Sequence, residues 1–125
     1  MPNLTEEIIR AWDSRNGPVV LATVDAQGIP NIIYATCVSR YSEDMLVVAD
    51  NYFEKTRSNI LRSGKGAILF IMKDNKAYQV KGELEYHREG PIYKDMKKWN
   101  DPKHPGHAAV SLKVDEVYSG SAKLL

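Results

Sequence analysis

The run Asp50-Asn51-Tyr52-Phe53-Glu54-Lys55-Thr56-Arg57 gathers residue types that hold an anion. The preceding Met45-Leu46-Val47-Val48-Ala49 is short, almost wholly apolar and strand-like, whereas Lys55 to Arg62 carries Ile60 and Leu61 on a helical turn and ends at Ser63-Gly64. A strand therefore feeds a polar loop, which closes at a helix start with a cation, a hydroxyl and a second cation. Free backbone amides and the helix dipole favour negative charge there, so a phosphate fits. Lys55 supplies a point charge, Thr56 a hydroxyl donor, and Arg57 a forked contact if it points inward. The same residues suit a solvated surface helix equally well, and spacing alone leaves both readings open.

Other reactive residue types give weaker signals. His104 and His107 flank a Pro105-Gly106 turn with no third ligand nearby in sequence, so a surface loop is expected there and no metal site. His87 stands beside Arg88 and Glu89 near a strand end, where exposure is the ordinary state. Cys37 has no CxxC partner and no adjacent helix start to acidify its thiol, which makes it a packed strand residue. No Gly-x-Gly-x-x-Gly run, Walker sequence or nucleophile elbow occurs, and no catalytic acid, base or nucleophile stands out.

The elements that must position these residues follow from periodicity. Asn3 is placed to cap a first helix with Glu6 completing a capping box, and Leu4, Ile8, Ala11 and Trp12 recur on one face until Gly17-Pro18. Val19–Val24 and Ile29–Val38 are β-rich runs around the turn Asp25-Ala26-Gln27-Gly28. Ala67–Met72 and Ala77–Tyr86 flank Asp74-Asn75-Lys76, and in the second of these Tyr78, Val80, Gly82, Leu84 and Tyr86 alternate with polar residues. Gly90-Pro91 opens a helix with Ile92, Met96 and Trp99 on one side, and Ala108–Tyr118 returns to alternation with a change of phase at Val117. The result is a mainly β chain of about six strands and three short helices. Hairpin-sized turns make the strands antiparallel, and closure into a barrel removes the exposed edges of an open sheet.

Composition sets the outer bounds. A chain of 125 residues allows one domain, 1–125, with a real core. With 17 basic against 16 acidic residues, neither a nucleic-acid partner nor a polybasic membrane contact is expected. A single cysteine, no secretion signal and no long apolar segment make a reducing cytoplasm the expected compartment.

The order of a helix, Val20-Leu21-Ala22-Thr23, Gly28-x-Pro30 leading into a second strand, and a strand-loop-Lys55-Thr56-helix resembles the pyridoxamine 5'-phosphate oxidase-like FMN-binding split barrels, above all their small bacterial members. The resemblance covers Val19 to Tyr86 best and rests on motif order. It implies a six-stranded antiparallel split β-barrel that binds FMN as a homodimer, with the cofactor at the subunit junction. Carried over by position, it implies that Ala35, Thr36 and Cys37 of the second strand and Ala49, Asp50 and Asn51 at the end of the third line the flavin ring. Lys55 and Thr56 match the pair that meets the phosphate, Gln79 and Lys81 match a strand that approaches the flavin, and Trp99 is the candidate for covering the ring from the partner.

Departures narrow the implied activity. The sequence ends at Leu125 without the C-terminal portion that holds pyridoxamine phosphate in the true oxidases, so oxidation of that substrate is not expected. Asn31-Ile32-Ile33 stands where an arginine-rich stretch usually opens the second strand. The implied function is an FMN-dependent oxidoreductase of unassigned substrate, served by a nicotinamide donor or a redox partner. An electron carrier with no substrate of its own, and a barrel holding a deazaflavin or a haem-related molecule, remain the alternatives.

Overall fold

The structure is a computed structural model that describes residues 2–125. The first helix, α1 (Glu6–Asp13), is capped by Thr5, whose Oγ1 accepts from the Ile8 amide at 3.3 Å; Asn3 instead donates to Glu43. Glu6 and Glu7 favour its positive end, and Ile8, Ala11 and Trp12 form its buried stripe. Trp12 meets Phe70 edge-on, and Phe70 stacks on Tyr78, each pair at 5.2 Å between centroids.

Eight strands follow: β1 (Val19–Val24), β2 (Pro30–Ala35), β3 (Val38–Ser42), β4 (Met45–Asp50), β5 (Lys65–Ile71), β6 (Ala77–His87), β7 (Ala108–Ser119) and β8 (Ala122–Lys123). Helix α2 (Lys55–Ser63) lies between β4 and β5, and α3 (Pro91–Trp99) between β6 and β7. The run read as one strand from Ile29 to Val38 is two. Ala35 and Val38 both turn inward, although residues three apart on one strand would face opposite ways; the break at Thr36-Cys37 resets the alternation. The other extra strand, β8, is a two-residue return after the Gly120 turn that pairs with β7.

All pairings are antiparallel, in the order β2-β1-β5-β6-β7-β4-β3. The outermost strands, β2 and β3, are consecutive in sequence and joined only by Thr36 and Cys37. The sheet must therefore curl until its ends approach, which makes a split barrel. Leu21, Val48, Ile68, Val80, Leu112 and Val114 fill the interior. On the outside of β4 and β7, α3 covers Val47, Ala49 and Ala109 with the fully buried Met96.

The change of phase near Val117 has a clear cause. Lys81 pairs with Glu116, but the next residue, Gly82, pairs with Val114, so Asp115 is an extra residue and both Val114 and Val117 turn inward. Gly82 lies close against the β7 backbone: a Cβ there would lie 1.9 Å from the Lys113 carbonyl oxygen.

Among the described residues no helix covers the outer face of β2, β1 and β5. Tyr34 pairs with Val20, which pairs on its other side with Leu69, and Ile32 pairs with Ala22, which pairs with Ala67. Tyr34 and Ile32 are 79% and 67% exposed, high values for large apolar residues on a sheet.

Candidate functional site

The strand-to-helix junction that suggested an anion site is braced from below. Asp50, the last residue of β4, is fully buried. Its Oδ2 accepts from Arg57 Nε at 2.7 Å and its Oδ1 from Arg57 Nη2 at 3.1 Å and the Phe53 amide at 3.0 Å; the Tyr86 hydroxyl also donates to Oδ2. Burial by itself raises the Asp50 pKa, but these donors and the Arg57 charge outweigh it and hold the carboxyl below the usual range. The hydrogen bond to Asp50 pushes the Arg57 pKa upward, while burial and then the neighbouring carboxylate raise that of Tyr86. The network fixes the loop from Asn51 to Glu54 between two strands and a helix.

Above this brace runs a groove of about 380 Å³. Ile33, Ala35, Thr36, Cys37 and Ala49 form a floor of mostly short side chains. At one end stand Asn31, Glu54, Lys55 and Thr56. Glu54 gives α2 no side-chain cap, so the first-turn amides are open to a ligand, and Lys55 forms no ion pair among the described residues. Thr56 Oγ1 accepts from Asn31 Nδ2 at 2.9 Å, which leaves its own proton for another acceptor. At the other end the Tyr52 hydroxyl and His104 Nδ1 are 3.2 Å apart.

A pair of buried amides holds these walls together. Asn51 Nδ2 donates to Asn100 Oδ1 at 3.2 Å, Asn100 Nδ2 returns a bond to Asn51 Oδ1 at 2.8 Å, and the Gly106 amide reaches the same oxygen at 3.0 Å. The loop after α3 is thereby pinned to the loop after β4, and His104 comes to the groove.

The sequence of residues 4–120 matches the profile of pyridoxamine 5'-phosphate oxidase. The chain belongs to the pyridoxamine 5'-phosphate oxidase family. An uncharacterized protein of Methanocaldococcus jannaschii is 32% identical over 121 residues, spanning 93% of this chain and 80% of that one. Among solved structures of the same fold, HupZ of Group A Streptococcus superposes with a TM-score of 0.84 at 25% identity, over 96% of each chain. An FMN-binding protein of Syntrophomonas wolfei superposes with a TM-score of 0.76 at 20% identity, over 93% of this chain and 98% of that one.

Of the residues that the family resemblance singled out, Ala35, Thr36, Cys37, Ala49, Asn51, Lys55 and Thr56 share the groove. Four others lie elsewhere. Asp50 points beneath it, held by Arg57 and Tyr86, and Arg57 is thereby turned away from the anion end. Gln79 and Lys81 sit on β6 opposite Leu69 and Ala67, beside the uncovered sheet face. Trp99 packs against the outer cluster of Val47, Ala49, Met96 and Ala109, and its buried Nε1 has no hydrogen-bond partner. The groove also takes in residues outside that set. Asn31 and Ile33 share a strand face with Ala35, a relation legible from alternation; His104 arrives from a distant loop and leaves no local signal. Among the described residues no group of three His, Cys, Asp or Glu side chains is placed to hold a metal ion.

Proposed function

We propose that this protein binds FMN in the groove between β2, β4 and α2 and works as a homodimeric flavoprotein oxidoreductase. The carrying observation is the layout of one continuous groove. A floor of Ala35, Thr36, Cys37 and Ala49 has room for a flat ring, and it leads to Lys55, Thr56 and the uncapped amides of α2, which suit a phosphate. Its volume of about 380 Å³ falls within the range of small-molecule sites. The name of the Syntrophomonas wolfei protein, whose fold this chain shares, supports the choice of ligand.

In this reading Thr56 donates its free proton to the phosphate while Asn31 holds the hydroxyl in place. Lys55 supplies the charge, and Asp50, Arg57 and Tyr86 act as positioning residues that keep the loop in shape. Asn51, Tyr52 and His104 bound the ring end. Bound flavin supplies the electron transfer, so the chain needs no acid, base or nucleophile of its own for that step. The uncovered face of β2, β1 and β5 is the dimer surface, which brings Gln79 and Lys81 of each subunit to the junction.

Calorimetric titration with FMN tests this. The wild-type chain binds one FMN, and Lys55→Ala weakens binding by about 1.5–3 kcal/mol, the range for a charge-assisted hydrogen bond. Unchanged affinity removes Lys55 from the site. Uptake of haem or a deazaflavin with no uptake of FMN overturns the choice of cofactor.

A further inference from the structure

The end of the groove away from Lys55 carries a hydroxyl–imidazole pair. Tyr52, on the loop between β4 and α2, has its hydroxyl 3.2 Å from His104 Nδ1, and the two rings meet edge-on at 5.6 Å between centroids. The loop that carries His104 is stitched to the same wall. The His107 amide donates to the Asp50 carbonyl at 2.9 Å, the Gly106 amide donates to Asn51 Oδ1 at 3.0 Å, and Lys97 Nζ donates to the Pro105 and Gly106 carbonyls. The fold therefore sets the place of the imidazole independently of its own bond to Tyr52.

Two properties fit this pair to proton transfer. Its hydrogen bond holds in either charge state of the imidazole: a neutral ring with its proton on Nε2 accepts from the hydroxyl, and a protonated ring donates from Nδ1 to the hydroxyl oxygen, which frees the Tyr52 proton for a third group. Tyr52 is also 71% exposed while lining the groove, so that proton is open to a molecule arriving from solvent. Lys55, the only Lys or Arg lining the groove, stands at the opposite end, and the Tyr52 end thus suits an uncharged oxygen acceptor better than a carboxylate or phosphate. The other titratable and charged groups around His104 are Cys37 and Glu54 of the groove, Lys97 of α3, and His107, Asp101 and Lys103 of its own loop, the last two 3.8 Å apart.

Electron transfer by a bound flavin asks no acid of the chain, but a carbonyl compound that gains an electron pair must also gain a proton on oxygen. From the Tyr52–His104 pair we infer that the substrate is a planar, uncharged, electron-poor carbonyl compound of the quinone type, and that Tyr52 protonates its oxygen. The acceptor takes a hydride equivalent from reduced flavin, and the oxygen on which negative charge builds takes the Tyr52 hydroxyl proton. Tyr52 regains a proton from His104 Nδ1, His104 regains one from solvent, and a nicotinamide donor restores the electrons. Tyr52 is then a catalytic residue and His104 a positioning residue that recharges it. The inference rests on the flavin reading and adds the substrate class to it.

The probe is tetramethyl-1,4-benzoquinone, whose ring has no free position for the Cys37 thiol to attack. Wild type, Tyr52→Phe and His104→Asn are each saturated with FMN; the first change keeps the exposed ring, and the second keeps a hydrogen-bonding atom that does not titrate. Equilibrium dialysis against the oxidised proteins reads quinone binding without turnover, and Tyr52→Phe should weaken it roughly fivefold, as loss of one hydrogen bond does. Stopped-flow oxidation of the photoreduced proteins without oxygen should slow by about a hundredfold in Tyr52→Phe, the scale of general acid catalysis. The wild-type rate should fall as pH rises across the imidazole range, about pH 5 to about pH 8, and the His104→Asn rate should not. Equal binding and equal rates in wild type and Tyr52→Phe overturn the inference, as does a wild type that loads FMN and neither binds nor reduces the quinone. A pH profile unchanged in His104→Asn overturns the part given to His104. A chain that takes up no FMN overturns the flavin reading, and the inference with it.

Discussion

Asp50 shows how a residue of one chemical type takes different roles according to what surrounds it. Its position at the end of β4 suggested contact with a flavin, yet the structure buries it under the groove between Arg57 and the Tyr86 hydroxyl. Nothing local in sequence could have told the two apart, because Tyr86 comes from β6, 36 residues away. Asp50→Asn keeps the shape and removes the charge, and it should lower unfolding stability by about 1.5–3 kcal/mol, read from urea denaturation. The pH dependence has a definite sign. A carboxyl held low in the folded state binds its proton more tightly once unfolded, so its stabilising contribution is present above the unfolded value of about 3.8. That contribution is lost as pH falls through the lower folded value. The Asn variant should therefore lose less stability than the wild type between about pH 6 and about pH 3. Parallel acid limbs in denaturation curves would show that Asp50 is not held low.

At the scale of elements, periodicity carried most of what was readable. The alternation in β6 and the proline at the start of α3 were plain in the sequence, as was the helix start at Lys55. The change of phase at Val117 was visible too, although its cause, an extra residue at Asp115 facing the Lys81-Gly82 step, needed the partner strand. The break at Thr36-Cys37 was not legible, because both residues fit a strand and only the closing of the sheet forces them out of one. The candidate groove divides in the same way: its β4–α2 wall is contiguous in sequence, whereas His104 depends on the Asn51–Asn100 amide pair. Gly82 tests the β6–β7 junction. An added Cβ would lie 1.9 Å from backbone, which no rotamer change relieves, so Gly82→Ala should cost roughly 1–3 kcal/mol in a thermal or urea unfolding measurement. A neutral outcome would mean that the two strands pair in another register.

For the whole molecule, a sheet whose two ends are sequence neighbours curls into a split barrel and leaves one apolar outer face uncovered. In the proposed dimer a second copy would cover that face, including Ile32 and Tyr34, and would bring Gln79 and Lys81 to the junction. Ile32→Asp should accordingly convert a dimer into a monomer in sedimentation equilibrium, while a wild-type chain that sediments as a monomer would sink this assembly. The fold itself is that of the pyridoxamine 5'-phosphate oxidase family, and the chemistry it hosts is set by the side chains along the groove. Flavin binding is the claim on which the rest turns. The direct measurement is the visible absorption spectrum of the full chain after incubation with FMN and removal of free flavin by gel filtration. A flavin spectrum at one per chain in the protein fraction is the predicted result; a colourless protein fraction, with all the FMN eluting free, would contradict the account.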